Sequence, residues 1–301
     1  MPQGSLLAPI LFSLFLNDIF LISFQNHLLA FADDMKLFGE VNSKSSLQRD
    51  ADLLHKWLLE NDLKLNCQKC KVLHFGIKNP DFCYEINEEI LSSNNSEKDL
   101  GVLIDINFSF SEHIALVVKK AFVMSNFILK TFQFKKINYY AKIFVIYVGP
   151  IIDYGYPVWY PKYVYQIKYL SVLKKYTKAV CRKLHIVADY PERLNLFKLD
   201  SLEVHRLKLD LIFAYKVMHN WQSLSEILPP CSSLSTRSFG TDLLVVRALS
   251  SSRKCFFAHR VIKLWNSLPT NVKSASSLSC FKSLLNSITF SSFIKGHASR
   301  P

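Results

Sequence analysis

Leu28-Leu29-Ala30-Phe31-Ala32-Asp33-Asp34-Met35-Lys36-Leu37-Phe38 is the stretch that decides how this chain reads. Two apolar runs, Leu28 to Ala32 and Met35 to Phe38, flank Asp33-Asp34. Strand-like runs split by two turn-forming residues predict a β-hairpin. Adjacent carboxylates at a hairpin tip repel each other unless a cation sits beside them. Nucleotidyl transfer uses such a site: two divalent ions clamp the attacking and leaving oxygens, and hard oxygen ligands suit Mg²⁺. The plainer alternative is that Asp-Asp is good turn chemistry and nothing more.

Working outward, a helix follows the hairpin, with Leu47, Ala51, Leu54 and Leu58 on one stripe, Trp57 beside it, and Asn61-Asp62 as its stop. Asp99-Leu100-Gly101-Val102-Leu103-Ile104-Asp105 reads as a strand with a tight bend at Gly101. Short apolar runs alternating with a helix give residues 1–110 an α+β signature. Beyond them the helical period dominates. Ser109 with Glu112 predicts a capping box ahead of Ile114, Val118, Ala121, Ile128 and Phe132. Further helices are predicted through Leu170–Leu184 and Val204–Met218. The Ser-rich segment with Pro229-Pro230 reads as a linker, placed at 223–242, and the tail from 243 to 301 offers one short amphipathic helix around Phe257–Trp265.

Composition narrows the function classes. Half of the 301 residues are hydrophobic and 20% are charged, which excludes wholesale disorder. The net charge of +13 suggests a polyanionic partner, or simply a basic protein. No Lys or Arg precedes Met35, so a secretory signal is not expected. Pro9, Asn17 and Asp18 interrupt the first apolar stretch, and Ile143–Ile152 is too short to span a bilayer. Seven cysteines, an odd number, fit reduced thiols inside a cell better than a disulfide framework.

The ordered motifs resemble a known family. Phe31-Ala32-Asp33-Asp34 resembles the aromatic-Ala-Asp-Asp box of reverse transcriptases. Pro2-Gln3-Gly4-Ser5 is similar to the box that precedes it in non-LTR (LINE-type) retrotransposon enzymes, and Leu16-Asn17-Asp18-Ile19 falls where they carry a similar run. Trp57, Leu63-Lys64-Leu65-Asn66 and Lys69-Cys70 match the next block, and Lys98-Asp99-Leu100-Gly101-Val102 the hairpin after it. The likeness continues through Lys119-Lys120-Ala121, Val158-Trp159-Tyr160-Pro161 and Ser201-Leu202-Glu203 to Trp265-Asn266-Ser267-Leu268-Pro269.

What the resemblance implies is a partial polymerase palm at 1–110, a helical thumb-like region at 111–222 and a C-terminal tail. It implies RNA-directed DNA synthesis from an RNA template, a DNA primer and deoxynucleotides, with two Mg²⁺ ions and no membrane. Asp33 would be the ligand shared by both metals and Asp34 the more accommodating carboxylate. Gln3, Gly4 and Ser5 would lie against template and incoming nucleotide, and Leu100 and Gly101 would belong to a primer-supporting hairpin. Lys69 would protonate the pyrophosphate leaving group, or is a solvated surface lysine. The family carries a further catalytic Asp and a fingers region ahead of the Gln-Gly-Ser box. Only Met1-Pro2 precede Gln3 here, so the 301 residues alone are expected to be inactive. The alternative is a non-catalytic nucleic-acid-binding remnant of the element.

Two weaker patterns remain. Cys67, Cys70, His74 and Cys83 are spaced loosely like a zinc knuckle, but the spacing fits no zinc module. Lys162, Lys168, Lys174, Lys175, Lys178, Arg182, Lys183 and Arg193 are interleaved with Tyr163, Tyr165, Tyr169, Tyr176 and Tyr190. That mixture suits phosphate contact and base stacking, or it is the wet face of helices whose tyrosines are core.

Overall fold

The computed structural model describes residues 5–40, 44–76, 78–161, 163–169, 171–220, 227–229, 242–245, 247 and 251–290. The chain divides into two compact units, Met1–Asn107 and Phe108–Pro301. Helices and small, mostly antiparallel sheets make it α+β.

In the first unit α1 (Ala8–Leu16) and a 3₁₀ turn (Asn17–Leu21) lead into the ribbon β1 (His27–Phe31) and β2 (Asp34–Phe38). α2 (Lys44–Glu60) packs Leu54, Trp57 and Leu58 against Leu16 and Ile19, with Leu28 and Met35 of the ribbon at the edge of that core. Alternation along the strands places Leu28, Ala30, Met35 and Leu37 on the inner face. Asp62, at φ 53°, ends the α2 turn where the sequence places the stop. Two-residue strands β3 (Lys71–Val72), β4 (Glu85–Ile86), β5 (Glu89–Ile90) and β6 (Ser92–Ser93) follow, then the hairpin β7 (Ser96–Asp99) and β8 (Val102–Asp105). The predicted bend at Gly101 is therefore a full chain reversal. The Gln48 side-chain amide of α2 exchanges hydrogen bonds with the backbone of Glu85, at 2.7 and 3.1 Å, and so fixes β4 against the helix.

The second unit begins with α3 (Ser111–Thr131), whose buried face carries Ile114, Val117, Val118, Ala121 and Ile128. The capping box predicted at Ser109 is not formed. Phe110 takes the cap position at φ 53°, and the Ser109 hydroxyl meets Ser111 instead. A capping box does form at Asp189 and Glu192, where the sequence reading had none. α4 (Ile137–Ile143), a π-helical turn (Phe144–Val148) and α5 (Gly149–Asp153) run on without a break. Tyr140, Phe144, Val148 and Ile152 are all buried along this run, four residues apart. On an α-helix each four-residue step drifts about 40° round the axis, and the wider π turn offsets that drift.

α6 (Val164–Tyr169), α7 (Val172–Lys183) and α8 (Tyr190–Phe197) complete the packing around α3 and α4. Tyr176 is buried and donates to the Tyr140 carbonyl at 2.9 Å, while Tyr140 donates to the Phe132 carbonyl at 2.9 Å. Lys183 donates to the Leu129 and Phe132 carbonyls, both at 2.7 Å, a cation on the C-terminal end of α3. A second core joins α9 (Leu202–Asn220), α11 (Phe257–Asn266) and α13 (Leu278–Asn286), with Trp265 and Phe281 fully buried. The short helices α10 (Ser251–Cys255) and α12 (Thr270–Lys273) flank α11. Arg260 of α11 clamps Asp210 of α9 through two hydrogen bonds of 2.8 and 2.7 Å, both side chains being almost wholly buried. Most of the predicted linker at 223–242 lies outside the described residues.

Candidate functional site

The hairpin forms, with its turn one residue earlier than the sequence reading placed it. Phe31 pairs with Asp34, so Ala32 and Asp33 are the turn residues and Asp34 opens β2. Ala32 has φ 52° and Asp33 does not share the positive φ, the sign pattern of a type II′ turn. Matching strand twist decides the register here, since primed turns continue the right-handed twist of the ribbon. Both aspartates are exposed. Neither carboxylate makes a hydrogen bond or ion pair among the described residues, and no group of three potential metal donors forms among them. Two hard oxygen donors at an open tip suit a divalent ion, but these two alone leave most of its coordination sphere to other groups.

Alternation puts Asp34, Lys36 and Phe38 on the outer face of β2. From there Lys36 forms an ion pair with Asp99, the last residue of β7. That bond ties the aspartate ribbon to the second hairpin, whose turn is Leu100-Gly101. Both turn residues have positive φ, 42° and 88°, the pattern of a type I′ turn. Leu100 in that conformation is strained, because a branched side chain crowds the left-handed backbone.

The base of the ribbon is held by a residue that sequence reasoning passed over. Asp50 of α2 is fully buried and accepts from the Gln25 N–H at 3.0 Å, the Asn26 N–H at 2.7 Å and the Asn26 side-chain amide at 2.8 Å. Gly39, just after β2, closes the other end: a Cβ there would stand 2.0 Å from Asn26 Oδ1. The available signal was a lone acid on the apolar stripe Leu47, Leu54 and Trp57.

The other predicted residues are dispersed. Gln3 and Gly4 lie outside the described residues. Ser5 is exposed, and its hydroxyl accepts from the Leu7 N–H at 3.3 Å at the entry to α1. Lys69 is exposed on the 3₁₀ turn Cys67–Lys69, and no hydrogen bond or ion pair joins it to either aspartate among the described residues. Cys67 and Cys70 spend their thiols on carbonyls, those of Ile86 and Asn66, and burial pushes the Cys70 thiol up. His74 instead stacks on Tyr84, 6.4 Å between centroids. A cavity of about 250 Å³ lined by His74, Asp81, Asn94 and Asn95 belongs to the same unit but includes neither Asp33 nor Asp34.

In the basic stretch, Lys174, Lys175, Lys178 and Arg182 share the exposed face of α7. Lys174 lies over the Tyr190 ring and Lys175 over Phe122. Tyr163 and Tyr165 stack on each other, 5.4 Å apart, and both are partly exposed. Lys162 and the side chain of Tyr169 lie outside the described residues.

Comparison with known proteins adds what the geometry leaves open. The family described as reverse transcriptase (RNA-dependent DNA polymerase) matches residues 1–172. An uncharacterized protein of Caenorhabditis elegans is 30% identical over 146 residues, which cover 48% of this chain and 72% of that protein. The RNA-directed DNA polymerase from mobile element jockey of Drosophila funebris is 29% identical over 126 residues, covering 38% of this chain. Its Drosophila melanogaster counterpart is 28% identical over the same length. The match spans 14% of the length of each jockey polymerase. No solved structure matches significantly.

Proposed function

Since the chain belongs to the reverse transcriptase (RNA-dependent DNA polymerase) family, of the LINE type found in mobile elements, we propose that Asp33 and Asp34 are carboxylates of its polymerase centre. The observation that carries this reading is the exposed aspartate pair at the tip of a ribbon that Asp50 fixes from below. When bound, Mg²⁺ would supply Lewis-acid stabilisation of the charge that develops on phosphoryl transfer. Asp33, on the turn, is the stronger candidate for a ligand shared between two ions. Asp34, on the outer face of β2 beside Lys36, is the more peripheral one. The partners are an RNA template, a DNA primer and deoxynucleotides.

On this reading the first unit is part of a palm and the helices around α3 to α9 act as a thumb. Gln3, Gly4 and Ser5 contact template and nucleotide, and the Leu100-Gly101 turn supports the primer end. The Lys36–Asp99 pair supports that last assignment, because it links the two hairpins directly. Nothing in the placement of Lys69 favours a role as general acid over a surface lysine. Two carboxylates make too few donors for a two-ion site, so the remaining donors come from polypeptide beyond these 301 residues, and the chain alone does not polymerise.

Primer extension tests this. The purified chain should incorporate no deoxynucleotide on an RNA template. Mg²⁺-dependent incorporation that Asp33→Ala abolishes would overturn the claim of inactivity. In a chimaera where these residues replace the matching segment of a jockey polymerase, Asp33→Asn should cost more rate than Asp34→Asn, since a shared ligand stabilises more transition-state charge. Equal losses would overturn the assignment of roles. The second reading, a nucleic-acid-binding remnant, predicts retention of RNA and an inactive chimaera.

A further inference from the structure

The face of α3 turned away from the core is not the polar face that an amphipathic helix presents to water. Leu116, Val123 and Phe127 are 48, 63 and 57% exposed on it. Lys119, Lys120 and Lys130 are exposed among them. At 3.6 residues per turn these six side chains fall within an arc of about 100°. The apolar three run along its centre, Lys119 and Lys130 line one edge, and Lys120 lines the other. The one acid of this helix, Glu112, sits in its first turn, where the helix dipole favours a carboxylate. Just past the helix, Lys135 and Lys136 are exposed as well. None of these lysines has an acidic partner among the described residues. The exposed face of α7 differs, because its cations have no apolar strip between them.

We propose that this stripe of α3 lies along the minor groove of a base-paired template–primer duplex, a proposal that rests on the polymerase reading above. A groove offers two phosphate rows with sugars and base edges between them. Cationic edges around an apolar centre complement that cross-section. The fit is best to the wide, shallow minor groove of an A-like duplex containing RNA, which admits a helix lying on its surface. From Lys120 to Lys130 the helix advances about 15 Å, several nucleotide steps.

A second copy of the chain fits the stripe less well. Leu116, Lys120, Val123, Phe127 and Lys130 would form the seam of a helix pair, and two of those five positions would then oppose lysine to lysine. An anionic membrane is attracted by the same residue types, and the test separates it.

The experiment is a salt titration of the 301-residue chain binding a labelled RNA–DNA hybrid, with circular dichroism on each variant. The triple variant Lys119→Gln, Lys120→Gln, Lys130→Gln should bind about tenfold more weakly at low salt, with a log–log salt slope shallower by about two to three. The double variant Leu116→Ser, Phe127→Ser should also lose affinity while keeping the original slope, since it removes contacts to sugars and not to phosphates. An unchanged slope in the triple variant, with duplex still bound, would overturn the α3 assignment alone. So would a dimer in sedimentation that the double variant dissolves, or tighter binding to phosphatidylserine vesicles than to the hybrid. Failure of the unaltered chain to bind any duplex would instead remove the polymerase reading beneath it.

Discussion

Replacing Asp50 tests how the aspartate ribbon is held. Its carboxylate is fully buried in α2 and accepts three N–H groups from Gln25 and Asn26, all within 3.0 Å. Hydrogen bonds to a charged acceptor contribute about 1.5–3 kcal/mol each, and their loss is not additive. Asp50→Ala also leaves two backbone donors without an acceptor. The expected destabilisation of the first unit is therefore about 3–5 kcal/mol, a large share of what a domain of this size has. Asp50→Asn keeps the shape and one acceptor but turns an amide against the Asn26 N–H, and should cost about half as much. Urea unfolding gives the totals. Amide exchange at Gln25, Asn26 and along β1 locates the effect, which should appear there before it reaches the helices. A loss under about 0.5 kcal/mol for Asp50→Ala, the level of an ordinary surface change, would refute the reasoning.

Three further outcomes are expected. Ala32→Gly should stabilise the ribbon by about 1 kcal/mol in urea unfolding, because Ala32 holds φ 52° at a steric cost that glycine lacks, and a loss of stability would contradict the turn geometry. His113 is buried against Trp159, and burial, with the nearby Lys120 charge, lowers its pKa from 6.5 to about 4. The unfolded chain then takes up a proton near pH 6.5 that the folded chain refuses until about 4, so this contribution is complete above 6.5 and drains away as pH falls to 4. His113→Gln should flatten the stability–pH curve across that window, and identical curves would sink the argument. Arg260→Met, which strands the buried Asp210, should cost about 3–5 kcal/mol in urea unfolding, and Asp210→Leu added to it should restore most of the loss.

The parts of the fold legible in the sequence are those whose signal is local. The two apolar runs around Asp33-Asp34 announce a hairpin, and the stripe Leu47, Ala51, Leu54 and Leu58 announces α2. Which residues turn is set by the twist of the paired strands, so the turn moved to Ala32-Asp33. Ser109 and Glu112 have the right spacing for a capping box, but Phe110 entered the left-handed region and the helix began later. Asp50 is harder still, because its partners lie 24 and 25 residues away and no spacing rule reaches them. Beyond Leu268 the serine-rich composition hid α13, whose buried Phe281 and Leu285 are sparse on a polar background.

The π turn at Phe144–Val148 sets how this segment can change over time. A π turn accommodates a residue more than the α-helical path needs, and here that extra length keeps Tyr140, Phe144, Val148 and Ile152 on one side. Deleting a single residue within it would allow regular α-helix to form. It would also swing everything downstream by about 100°, turning Val148 and Ile152 out of the core and the exposed Ile146 and Tyr147 toward it. Length is therefore more constrained than side-chain identity along these five positions. Genetic drift in this stretch should leave substitutions and almost no single-codon gaps.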